Sequence, residues 1–172
     1  MSKYLIAAAL AVAASAAQAH ITLEASEAPI ASTQKVVLRV PHGCEGAATT
    51  RVRIRIPEGV IAVKPMPKPG WQLETVSGPY ENSYSYYGTE VTEGVTEIAW
   101  TGELPDAFYD EFVFRAMLTD SLAAGSELHF PVVQECGDKA ERWIEIPAAG
   151  QDPDSLDYPA PGLTLLPAAP GH

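Results

Sequence analysis

Cysteine, basic charge and long apolar runs are all scarce in this chain, and each scarcity removes a class of function. Cysteine occurs twice in 172 residues, too few for a four-thiolate zinc site. Eleven basic side chains face 22 acidic ones, a formal charge of −11. That balance leaves no cationic patch able to neutralise several phosphates, so nucleic acid binding has no electrostatic footprint. Anionic membrane surfaces are disfavoured for the same reason. No phosphate-cradling glycine loop and no Gly-x-Ser-x-Gly elbow occurs. Helical periodicity is scarce too. With 47% hydrophobic residues, the composition is that of one globular domain, not of collagen, a coiled coil or a disordered tail.

The single apolar run lies at the start. Lys3 precedes an alanine-rich stretch from Leu5 to Ala16, and Ala17-Gln18-Ala19 sets small residues where a signal peptidase reads. The run is shorter than the roughly 20 residues a bilayer span needs. Residues 1–19 are therefore expected to be a cleaved signal peptide, leaving a soluble periplasmic or secreted chain that begins at His20 with no membrane anchor. Export changes the reading of Cys44 and Cys136, because an oxidising compartment makes one disulfide the default; two thiolates on a soft metal are the rival.

What remains is rich in short alternating runs bounded by Gly, Pro and Asn. Between Thr50 and Ile56, Val52, Ile54 and Ile56 alternate with Arg51, Arg53 and Arg55, as in a strand with one face in a core and one in water. Gln34 to Val40, Trp71 to Val76, Ser83 to Tyr87, Val95 to Trp100, Glu111 to Leu118, Glu127 to Val133 and Glu141 to Ile146 read the same way. The pattern predicts an all-β, immunoglobulin-like β-sandwich over residues 20–147. Pro65 to Gly70 reads as a rigid loop, and Leu104 to Asp110 as an acidic turn. Residues 148–172, with five prolines, read as an extended Pro-rich tail packed only in part.

Cleavage after Ala19 places an α-amine and an imidazole on one residue, His20. Such groups titrate near 8 and 6.5 when unperturbed, so both can yield a proton to a divalent metal near neutral pH. Nitrogen donors in a plane favour Cu(II), which also heads the divalent affinity order. Amine and imidazole leave coordination positions open, so a further protein ligand is required.

The order of His20-Ile21-Thr22-Leu23, Val40-Pro41-His42-Gly43-Cys44-Glu45-Gly46, Thr49-Thr50-Arg51-Val52, Ile56-Pro57-Glu58-Gly59-Val60, Pro69-Gly70-Trp71 and Glu141-Arg142-Trp143 resembles the YcnI-like family of bacterial copper-binding proteins. The resemblance spans roughly His20 to Ile146. It implies an immunoglobulin-like sandwich whose N-terminal histidine binds Cu(II) through amine and imidazole. It also implies a glutamate ligand in the loop after the second strand and a tryptophan close to the metal. Matched residue by residue, these are His20, Glu45 and Trp143. The chain departs from the family in a slightly longer loop between Val40 and Thr49, in Cys44, which some members lack, and in the C-terminal membrane helix that those members carry. A Cys44–Cys136 bridge would bring the Glu45 loop beside the strand that carries Trp143.

Other residues read more plainly. His42 is expected to be an exposed loop histidine that can assist the metal. His129 is expected to face solvent or make a structural hydrogen bond, and His172 to be a spectator. Met66 reads as a gap filler rather than a thioether ligand, and Trp71 and Trp100 as core aromatics. Tyr80, Tyr84, Tyr86 and Tyr87 read as the packing cluster of a hairpin. The expected activity is copper handling or delivery without catalysis, with another exported copper chaperone or a cuproenzyme as partner. The alternatives are a copper-dependent oxidative enzyme, in which His42 or His129 supplies a second histidine, and a metal-free adhesion or scaffold sandwich.

Overall fold

A computed structural model describes residues 20–170; the expected leader and His172 lie outside the described residues. The strands are β1 (Thr22–Leu23), β2 (Glu27–Pro29), β3 (Ser32–Val40), β4 (Thr49–Arg55), β5 (Val60–Pro65) and β6 (Gln72–Tyr86). They continue as β7 (Thr89–Leu104), β8 (Asp110–Leu118), β9 (Glu127–His129), β10 (Val132–Cys136), β11 (Lys139–Trp143) and β12 (Gly162–Leu166). One sheet runs β1-β3-β8-β5, a second β11-β10-β4-β7-β6, and a small third β2-β12-β9.

Alternation decides which faces meet. On β4, Val52 and Ile54 are buried while Arg51, Arg53 and Arg55 turn outward, as their period-2 spacing requires. Outside, Arg53 pairs with Glu135 at 2.9 Å and Arg51 with Glu74 at 3.1 Å. Inside, Val52, Ile54, Ile98 and Trp100 of the second sheet share one core with Leu38, Phe112 and Phe114 of the first. The result is the expected all-β sandwich.

Several elements differ from the sequence reading, each for a local reason. Trp71 to Val76 and Ser83 to Tyr87 belong to one long strand, which turns back through Tyr87-Gly88, both with positive φ, as a two-residue hairpin turn demands. Glu127 to Val133 is split into β9 and β10 at Pro131, which has no N–H for a ladder. Met66 is 54% exposed and so fills no core gap, although its carbonyl accepts the Trp100 indole N–H.

The largest correction concerns the Pro-rich tail. Gly162–Leu166 within it is a true strand, parallel to β2 and antiparallel to β9, and Leu163 and Leu165 are buried in the common core. Prolines flank the strand and do not interrupt it, so the backbone between them is free to pair. Replacing Leu165 by Ala should therefore cost about 2–5 kcal/mol, as for a fully buried leucine. Urea unfolding of Leu165→Ala checks this, and a change below about 0.5 kcal/mol, typical of a surface site, would return the segment to the status of a tail.

Candidate metal centre

The loop joining β3 to β4 is shaped by three adjacent constraints. Cys44 and Cys136 form a disulfide with Cα atoms 5.9 Å apart across 92 positions, so the rival reading of two metal-binding thiolates falls away. Closing a loop of that length contributes about 4–5 kcal/mol in chain-entropy terms. Next to the bridge, Cys44 and Ala47 exchange two backbone hydrogen bonds at 3.0 and 2.9 Å, which leaves Glu45 and Gly46 as the central pair of a tight turn, both with positive φ. Gly43 has no room for a side chain, since a Cβ there would lie 1.8 Å from the Ala47 carbonyl oxygen. Its N–H donates to Asp106 Oδ1 at 3.1 Å, tying the loop to the Leu104–Asp110 turn.

This geometry carries Glu45 outward. Its side chain is 77% exposed and accepts from Lys139 Nζ at 2.8 Å. The Lys139 hydrogen bond, reinforced by the lysine's charge, holds the Glu45 carboxyl below the ordinary glutamate range. His42 is partly buried, and its Nδ1 contacts the Gly43 carbonyl.

Trp143 takes the opposite course. It ends β11, is buried, and donates its indole N–H to Gln134 Oε1 at 3.2 Å. The Gln134 amide nitrogen donates in turn to the His42 carbonyl at 2.6 Å and to Thr49 Oγ1 at 2.7 Å. The His20 ring lies against the Trp143 indole with centroids 5.5 Å apart, and Tyr158 meets the same indole edge-on at 5.2 Å. Because β1 is an edge of the first sheet and β11 an edge of the second, the His20–Trp143 contact spans the open side of the sandwich.

The structure brings His20 and Trp143 together, while Glu45 sits in the neighbouring loop engaged with Lys139. Sequence reasoning missed Glu141. It lies two residues before Trp143 on the same face of β11, opposite Gln134, and its Oε2 is shut off from solvent with no hydrogen-bond partner. Burial, opposed by the charge of His42 and aided by Glu45 and Asp106, pushes the Glu141 carboxyl above its ordinary range. The signal available in the sequence was the period-2 spacing of Lys139, Glu141 and Trp143.

On its other side, His20 borders a cleft of about 260 Å³ also lined by Ser26, Glu127, His129, Asp154 and Gly162. His129 makes the structural contact that was one of its two expected roles, with Nδ1 3.4 Å from the Ala160 carbonyl and Nε2 3.9 Å from Glu127. Among the described residues no three His, Cys, Asp or Glu side chains gather in a metal-holding arrangement.

Two facing sheets over one core, closed by a short third sheet, define an immunoglobulin-like β-sandwich. The fold is shared with an uncharacterized protein from Nocardia farcinica whose crystal structure reveals an immunoglobulin-like fold, at a TM-score of 0.60 and 27% identity, covering 86% of this chain and 98% of that one. Residues 20–165 match the family described as a domain of unknown function, DUF1775, and the chain belongs to that family, the one to which the YcnI-like resemblance points. No curated protein matches the chain.

The Glu45–Lys139 pair yields a pH prediction. A carboxylate whose acid constant is depressed in the folded state adds stability above its unfolded pKa and loses it as pH falls through the lower folded value. For so exposed a pair the stability effect is small, so the titration itself is the readout. Carboxyl NMR should place the Glu45 midpoint below that of the exposed glutamates, and Lys139→Ala should return it upward. An unchanged midpoint would mean that the pair does not form in solution.

Proposed function

We propose that this protein is exported to the periplasm or cell exterior and there binds Cu(II) through the α-amine and imidazole of His20, carrying or buffering the ion rather than catalysing a reaction. The observation that carries the reading is the placement of His20 against Trp143 at the edge of the sandwich, beside the loop that holds Glu45. A terminal amine and an imidazole on one residue form a chelate suited to a planar nitrogen-favouring ion. The donor set fits such an ion, because a carboxyl oxygen without a hydrogen-bond partner lies two residues from the indole that His20 touches. A carboxylate completes the set, and Glu45 is the donor the resemblance implies; to serve, it must leave Lys139. Trp143 lies against the imidazole at a tilt, where an indole can tune the ion without ligating it.

The net acidic charge draws cations toward the surface over about 10 Å at ordinary salt. The partner class is another exported copper carrier or a cuproenzyme that accepts the ion. One observation favours a second reading, a copper-dependent oxidative enzyme: His129 lines the same cleft as His20. Peroxide-driven substrate oxidation by the copper-loaded protein would establish that reading, and its absence leaves carriage.

The test of the main reading is electron paramagnetic resonance with Cu(II) on protein beginning at His20, beside a version with one extra alanine in front. The expected result is stoichiometric binding with a nitrogen-rich signal in the first and loss of both in the second. Equal binding by both, or by neither, would remove the N-terminal chelate.

A further inference from the structure

We propose that the carboxylate of Glu141 is the acidic ligand that joins His20 in holding the ion, while Glu45 remains at the rim on Lys139. This rests on the copper reading above and changes its coordination sphere.

Strand geometry places Glu141 inward. In the β10–β11 ladder, Lys139, Glu141 and Trp143 face Cys136, Gln134 and Val132, and directly opposed residues of an antiparallel pair share a face. Cys136, Gln134 and Val132 are all buried, so Glu141 points toward the interior between the sheets. The neighbouring cations are turned elsewhere: Lys139 bonds Glu45 and Arg142 is exposed on the opposite face. A buried carboxylate oxygen without a donor costs free energy and calls for a missing partner.

The first sheet brings His20 to the same place. Thr22 pairs with Arg39 and Leu23 with Leu38; carrying that register back along the chain sets His20 beside Pro41, next to His42. The His42 carbonyl accepts from Gln134, the residue opposite Glu141. From the other direction, the indole touching His20 stands two residues from Glu141. Register and the shared indole thus bring His20 and Glu141 to the same open side of the sandwich. His42, Glu45 and Asp106 lie within electrostatic reach of Glu141, and together with Glu141 they carry more acidic than basic groups, a balance that favours a cation.

Glu45 is poorly placed by comparison. It occupies a central position of a tight turn with φ of 48°, fixed on one side by a disulfide, and points to solvent. Because His20 supplies two donors from one residue, one carboxylate completes a three-donor site.

The experiment compares Cu(II) binding by Glu141→Gln and Glu45→Gln in protein beginning at His20, using competition titration for affinity and electron paramagnetic resonance for the coordination sphere. Glu141→Gln should weaken binding at least tenfold and shift the copper hyperfine pattern; Glu45→Gln should change neither. Thermal melting of the metal-free proteins checks folding, and Glu141→Asp, which keeps a carboxylate, should recover part of the affinity. Loss in Glu45→Gln with Glu141→Gln unaffected would overturn the inference and leave the copper reading in place. Equal loss in both variants would overturn the assignment to Glu141 alone. Equal binding by protein with and without the extra alanine would remove the copper reading, and the inference with it.

Discussion

Gln134 uses every hydrogen-bonding group of its side chain at the junction of the two sheets. Its oxygen accepts the Trp143 indole N–H, and its nitrogen donates to the His42 carbonyl and the Thr49 hydroxyl. Fully buried, the amide is tolerable only because all of these bonds form. The orientation of Trp143, the path of the His42–Cys44 loop and the start of β4 are thereby fixed by one side chain. The disulfide acts beside it on the same strand, holding Cys44 to Cys136. Trp143 can be a firm wall for His20 because its polar edge is already satisfied from behind.

The two main sheets end in three short edges, β1, β5 and β11, and one long one protected from pairing. β1 and β11 have two and five residues, and the His20–Trp143 contact lies between them. β6, with 15 residues, is the long edge. Pro79 removes a donor from it, and Glu74 and Glu81 place like charges along it, devices that blunt edge-to-edge association.

Much of this was legible in the sequence where side-chain alternation is strict. The Arg/Val/Ile pattern of β4 gives its core face directly, and the export expected from residues 1–19 makes the Cys44–Cys136 pairing the simplest choice. The contact of His20 with Trp143 followed from family likeness, since nothing in the spacing of two residues so far apart brings them together. β5 was hidden because its consecutive Val60 and Ile61 are both buried at a register shift near Ala62, which erases the period. β12 was hidden by prolines that read as disorder until its partners are known. Glu141 went unnoticed because an acidic residue on an edge strand is ordinarily solvated; only the fold reveals that its oxygen is enclosed.

A terminal residue used as a chelate faces a particular difficulty, because chain ends fray and ordering each residue costs about 1–2 kcal/mol. On the proposed copper reading, that cost is met in folding and not in binding. Ile21, directly after His20, is buried to 1% exposure in the common core. β1 pairs with β3, and further along, β2 pairs with β12, whose Leu163 and Leu165 enter the same core. The last strand of the domain therefore helps to anchor its first residues. A donor set held in place before the ion arrives loses less freedom on binding, which is how preorganisation raises affinity. On the proposed copper reading the Pro-rich C-terminal segment belongs to the support of the metal centre, and loosening β12 would weaken ion binding through the freedom it returns to His20, with every donor atom still present.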